Sequence, residues 1–218
     1  MLFHDRREAG RELARRLTRY AGRPDVLVLA LPRGGVPVGY EVARALHVPL
    51  DVFVVRKLGV PGQPELAMGA IASGGAMVID PAIVEQLHLP EAVLQSVIAT
   101  EHGELVRREQ AYRGSRPAPD VKGRTVIVVD DGLATGASLR VALLALRRLG
   151  PSRIVAAVPV GPPETCDAMG RYADEIVCAA EPQPFHAVGR WYEDFTETTD
   201  EEVRELLREA IPSASSST

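Results

Sequence analysis

The run Val126-Ile127-Val128-Val129-Asp130-Asp131-Gly132-Leu133-Ala134-Thr135-Gly136-Ala137-Ser138 decides the fold. Four β-branched residues in a row make a strand that is apolar on both faces, as in a parallel sheet covered by helices on each side. Two carboxylates end the strand and small residues follow. A helical repeat then begins, with Leu139, Leu143 and Leu146 on one face and Gly150-Pro151 closing it. A small-residue loop opening onto a helix start leaves backbone N–H groups uncovered. The helix dipole adds positive potential, and Thr135 and Ser138 add hydroxyl donors. Together these residues predict a pocket for a phosphate monoester. No lysine follows the loop, which excludes a GxxxxGK[ST] phosphate loop, and the glycine spacing fails the GxGxxG pattern. Asp130 and Asp131 stand just before this cradle, where carboxylates can accept hydrogen bonds from vicinal hydroxyls or hold Mg²⁺, directly or through water.

Working outward, residues 26–31 (VLVLAL) form a second continuous apolar run, followed by the turn Pro32-Arg33-Gly34-Gly35. Upstream, residues 5–20 predict an amphipathic helix capped by Asp5, with Ala9, Leu13 and Leu17 on one face. A helix after the turn carries Val38, Val42 and Leu46, its start limited by Pro37. Residues 50–55 predict a strand ending in Arg56-Lys57. The Gly/Pro-rich stretch 58–75 predicts a mobile loop leading into short strands, one of them at 77–79. Residues 81–112 read as helical and polar, broken near 88–90. Beyond the central run come a strand at 154–160, a helix at 164–172 and a strand at 175–179. An irregular aromatic stretch spans 183–195, a short helix 200–210, and a Ser-rich tail 211–218 is expected to be disordered. This alternation predicts an α/β fold, a Rossmann-like parallel sheet flanked by helices, with ligands at the carboxyl ends of the strands.

The 218 residues suit a single domain over residues 1–210, with a helical insertion at about 81–115 and a small C-terminal hood at about 181–199. A net charge of −4 disfavours nucleic acid as a general partner. No apolar run approaches the roughly 18 residues of a membrane span, and the N-terminus turns charged within five residues, so a cytoplasmic protein is expected. The two cysteines, Cys166 and Cys178, lack metal-ligand spacing and are expected to be reduced. Arginine supplies 23 of the 25 basic residues, which draws attention to Lys57, one of only two lysines.

Residues 126–138 resemble the signature of type I phosphoribosyltransferases, which bind 5-phosphoribosyl-1-pyrophosphate (PRPP). That signature is a hydrophobic strand, two acids, two mostly apolar residues, and a small-Thr-Gly-x-Ser/Thr loop. The resemblance implies the family's fold. It implies that Asp130 and Asp131 bind the ribose hydroxyls, with Mg²⁺ accompanying PRPP, and that Leu133, Ala134, Thr135, Gly136, Ala137 and Ser138 bind the 5′-phosphate. It places Arg33, Gly34 and Gly35 in the family's pyrophosphate loop and Lys57 at its second pyrophosphate contact, so that Asp130, Asp131, Arg33 and Lys57 are the catalytic candidates. Residues 59–75, with Glu65 the sole acid, match the flexible catalytic loop in position. Residues 185–195 loosely resemble the segment that binds the acceptor base, with Phe185 or Trp191 stacking on it and Asp194 supplying an acid. Ala134 stands where 6-oxopurine enzymes carry an aspartate, and Ala-Thr-Gly is closer to the adenine enzymes. The implied activity is transfer of a phosphoribosyl group to an acceptor, a nucleobase by the family's habit, with release of pyrophosphate, in a chain that can form a homodimer. The alternatives are a PRPP-sensing regulator without turnover and a phosphosugar-binding protein.

Overall fold

The structure is a computed structural model and describes residues 3–210. Its centre is a five-stranded, wholly parallel sheet. The strands are β1 (Val26–Ala30), β2 (Leu50–Val52), β6 (Thr125–Val129), β7 (Arg153–Val160) and β8 (Glu175–Ala180), in the order β2-β1-β6-β7-β8. Three further strands, β3 (Val55–Val60), β4 (Gln63–Ala72) and β5 (Ala76–Ile79), form a separate antiparallel sheet.

Every residue of β1 and β6 is buried, as a strand covered on both faces requires. Alternate residues serve different cores because side chains switch face at each step. Val26, Val28 and Ala30 of β1 pack with Leu13 and Leu17 near α1 (Arg6–Arg16), Val38 and Val42 of α2 (Gly35–Leu46), and Val203 and Leu206 of α7 (Asp200–Glu209). Leu27 and Leu29 face the other way, toward Leu139, Leu143 and Leu146 of α5 (Ala137–Arg148) and Cys166 and Met169 of α6 (Pro163–Met169). Asp5 caps α1 as expected, accepting from the Glu8 N–H at 2.7 Å.

Residues 81–113 form a short helix, α3 (Pro81–Gln86), and a long one, α4 (Glu91–Arg113), broken where expected. Arg113, at the end of α4, is buried and donates to Asp51 at 2.8 Å, to Glu109 at 2.6 Å and to the Val52 carbonyl. Leu105 of the same helix joins the core.

Two expectations are corrected. The stretch 58–75 is not a loop leading into short strands: it contains most of a β3–β4 hairpin whose ten-residue second strand is among the longest in the chain. Pro61-Gly62 makes the two-residue turn, and Gly62 has φ +81°, a conformation open to glycine. The cysteines are not free thiols. Cys166 and Cys178 are disulfide-bonded, because α6 packs on the edge strand β8 with the two Cα atoms 6.6 Å apart, within bridging range. The tail 211–218 and the Glu65 side chain lie outside the described residues.

Candidate functional site

The site forms where β1 and β6 end side by side. Ala30 pairs in register with Val129, and the Leu31 amide donates to the Val129 carbonyl at 2.8 Å. The loop 31–35 is thereby laid against Asp130 and Asp131. The approach is so close that only glycine fits. A Cβ on Gly34 would lie 2.0 Å from the Asp131 Oδ2, and one on Gly35 2.7 Å from the Val129 carbonyl. The Pro32–Arg33 peptide, at the head of this loop, is cis.

Beyond the acids, Leu133 plugs into the core and its amide donates to the Val160 carbonyl at 2.8 Å, which anchors the start of the small-residue loop. Gly136 precedes α5 with φ +74°. The Thr135 hydroxyl accepts the Ala137 N–H at 3.4 Å, and among the described residues the N–H groups of Ala134, Thr135 and Gly136 donate to nothing. Ala134, Thr135, Ala137 and Ser138 are exposed. Three successive backbone amides thus stand without a protein acceptor just before a helix start, beside exposed Ala134 and Thr135.

The acids are held apart by different partners. The Asp130 carboxylate accepts the Asp131 N–H at 2.9 Å. Burial first, and then the neighbouring Asp131 charge, pushes its pKa well above the usual carboxylate value. Burial also raises Asp131, but Arg6 opposes the shift. Arg6 is the residue that the sequence reading missed. It comes from the first turn of α1, and its Nε donates to Asp131 Oδ2 at 2.9 Å. Its Nη1 donates to the Thr196 carbonyl at 2.7 Å, and its guanidinium lies 4.0 Å from the Phe195 ring centroid. One side chain thus ties the acid pair to the C-terminal segment. Tyr192 makes the same link from the other side, donating to the Asp131 carbonyl at 2.6 Å.

That C-terminal segment covers the acids. A Cβ on Gly132 would lie 2.3 Å from Val188, so residues 188–192, a 3₁₀ turn and its end, sit directly on the Asp-Asp-Gly corner. Phe185 and Trp191 stack on each other at 6.5 Å between centroids. The Trp191 Nε1 is buried without an acceptor among the described residues. Asp194 stands three residues beyond Trp191. It is exposed, and it accepts from the Thr196 N–H and hydroxyl, which hold its pKa low.

The basic candidates are placed less directly. Arg33 pairs with Glu197 and lies 4.0 Å from Asp200. Lys57 is not at the end of a parallel strand as expected. The strand at 50–55 breaks at Val52, and Lys57 belongs to the antiparallel β3, opposite Ala70. Its neighbour Arg56 pairs with Glu101 of α4 at 2.7 Å.

Carboxylate oxygens suit Mg²⁺ chemically. Asp131, however, gives one oxygen to Arg6, and among the described residues no third His, Cys, Asp or Glu side chain joins the two acids in a ligand cluster. The pair therefore fits a metal whose remaining ligands come from a substrate or water.

Comparison with known proteins gives a consistent result. The model of the phosphoribosyl transferase domain family matches residues 3–188. A Mycobacterium tuberculosis protein named "Putative phosphoribosyl transferase Rv0571c" is 48% identical over 209 residues, which is 96% of this chain and 47% of that protein. The chain thus spans about half the length of the curated relatives it matches first. The uracil phosphoribosyltransferase of Lactobacillus gasseri is 32% identical over 155 residues, 68% of this chain and 70% of that one. The crystal structure of TT1426 from Thermus thermophilus superposes with a TM-score of 0.85 at 45% identity, covering 96% of this chain and 99% of that chain.

Proposed function

The chain belongs to the phosphoribosyl transferase domain family, and on that premise we propose that it binds PRPP and transfers the 5-phosphoribosyl group to a nucleobase, releasing pyrophosphate. The observation that carries this reading is the acid pair followed at once by the amides of 134–136, which stand just before α5 and donate to nothing among the described residues. A sugar phosphate presents two adjacent hydroxyls and a terminal phosphate, the groups that such a pair and such a cradle would hold. Ala134 to Ser138 receive the 5′-phosphate, and Asp130 and Asp131 accept from the ribose hydroxyls. The loop of Arg33, Gly34 and Gly35, with Lys57, takes the pyrophosphate.

In the transfer, a ring nitrogen of the base forms a bond to C1′ while the C1′–oxygen bond breaks. Pyrophosphate leaves with the electron pair, and the nitrogen's proton passes to solvent. Positive charge develops on the sugar, so the work of this chain is positioning and electrostatics rather than covalent chemistry. Arg6 fixes the Asp131 carboxylate through one oxygen and leaves the other for a hydroxyl. Mg²⁺ bound with PRPP would neutralise the leaving pyrophosphate. The acceptor would enter under the 185–195 segment, between the site and the stacked pair Phe185 and Trp191, with Asp194 at its rim. The acceptor-less Trp191 Nε1 supports this placement, because a buried donor without a partner costs about 1–3 kcal/mol and a base offers ring acceptors. A uracil enzyme among the relatives makes pyrimidines the first bases to try.

The test is pyrophosphate release from PRPP and Mg²⁺ with a panel of nucleobases. Base-dependent release is expected. Release with none of them, from protein that still binds PRPP, would refute the transferase reading and leave a PRPP-binding regulator.

A further inference from the structure

The last turns of the long helix α4 meet the loop after β1. Arg107, Arg108, Ala111 and Tyr112 of α4, Arg33 of the loop and Asp200 of α7 enclose a cavity of about 160 Å³. Three guanidiniums and one carboxylate line it. That carboxylate is already engaged, accepting from the Tyr112 hydroxyl at 2.9 Å, and burial followed by this bond pushes the Tyr112 pKa up to about 12. Glu104 holds Arg107 through Nε and Nη2 and Arg108 through Nε, at 2.7–2.9 Å. Among the described residues this leaves Arg107 Nη1, both Arg108 Nη groups and Arg33 Nε without a hydrogen-bond acceptor. Surplus guanidinium donors from two distant segments, converging on one cavity, fit a phosphoryl anion.

We propose that Arg107 and Arg108, together with Arg33, form a phosphate subsite contributed by α4, which takes the terminal phosphate of the pyrophosphate group. The inference rests on the PRPP reading for the identity of that group. It gives a role to a polar helix that Arg113 ties to β2 and the Arg56–Glu101 pair ties to β3. It also gives Arg33 an anionic partner to exchange for Glu197.

The experiment is calorimetric titration of the intact chain at fixed ionic strength with pyrophosphate, inorganic phosphate, ribose 5-phosphate and PRPP. Arg107→Gln/Arg108→Gln is compared with wild type. Arg107 and Arg108 are largely on the surface, and the variant's fold is checked by its melting temperature. The double variant is expected to weaken pyrophosphate and PRPP by at least about tenfold and to leave ribose 5-phosphate unchanged. Glu104→Gln frees the two arginines and is expected to tighten pyrophosphate, which a purely structural role for the arginines would not do. Unchanged pyrophosphate affinity in the double variant overturns the subsite. Weakening of inorganic phosphate with PRPP unaffected overturns its assignment to the pyrophosphate group. Failure of wild type to bind PRPP, with pyrophosphate binding still lost in the double variant, strikes the PRPP reading and not the anion site.

Discussion

Replacing Arg6 by alanine removes the only cation bonded to Asp131 among the described residues, and the structure sets the size of the effect. The two side chains are 11% and 18% exposed, so solvent screens the pair only in part. Removing one partner of a fully buried ion pair costs about 3–5 kcal/mol. Residual exposure lowers that figure, while the lost bond to the Thr196 carbonyl and the contact with Phe195 add to it. A loss of about 2–4 kcal/mol at pH 7 follows. Its pH dependence has a definite sign. Arg6 opposes the burial that raises the Asp131 pKa, so without Arg6 that pKa rises further. Where Asp131 is protonated in both proteins, at low pH, they differ least. As pH rises through the Asp131 titration the variant is left with an uncompensated buried charge, and the gap widens. The assay is urea unfolding of wild type, Arg6→Ala, Asp131→Asn and the double variant between pH 5 and 8. With Asp131→Asn in place the Arg6 substitution should cost far less, giving a coupling energy of about 2 kcal/mol. A cost below about 0.5 kcal/mol, or one that is flat with pH, would refute the reasoning.

Other outcomes follow from neighbouring features. Asp130 has a raised pKa in the folded state, so the native protein holds its proton more tightly than the unfolded chain. Stability from this group is greatest below the unfolded value and falls as pH rises toward the folded one, by about 1.4 kcal/mol for each pH unit between the two. Asp130→Asn, which keeps an acceptor for the Asp131 amide, should therefore be the more stable protein in neutral-pH melts, an advantage that vanishes near pH 4, while binding PRPP more weakly. Gly34→Ala drives a methyl into the Asp131 carboxylate; it should cost about 1–3 kcal/mol in unfolding experiments and weaken PRPP tenfold or more in calorimetry. Cleaving the Cys166–Cys178 bridge with a phosphine reductant opens a short loop closed by residues 12 apart, and on the chain-entropy account should lower unfolding stability by up to about 3 kcal/mol.

The parallel sheet was legible because its strands carry the signal in their own residues. Residues 126–129 and 26–30 are apolar throughout, and both turned out buried on two faces. The small-residue loop before α5 was legible for a similar reason: a loop's backbone geometry is local, and Gly136 has a left-handed φ just before the helix. The hairpin at 55–72 was misread because its glycines and prolines were weighed as loop composition. Pro61-Gly62 between Val60 and Gln63 was in fact a turn signal flanked by strands. Arg6 left no sequence mark at all. It stands 125 residues from Asp131, and only the packing of α1 beside the strand ends brings the two together. The disulfide is hidden in the same way, since spacing alone does not tell that α6 lies on β8. Lys57 was conspicuous by rarity, a property of composition that does not fix position.

The most direct test of the central claim is a backbone amide NMR titration of the isotopically labelled chain with PRPP and Mg²⁺. The amides of Ala134, Thr135 and Gly136, idle in the free protein, are expected to shift downfield on binding, and ribose 5-phosphate is expected to reproduce those shifts without moving Arg33 to Gly35. Amides of 134–136 that stay unmoved at saturating PRPP would contradict it.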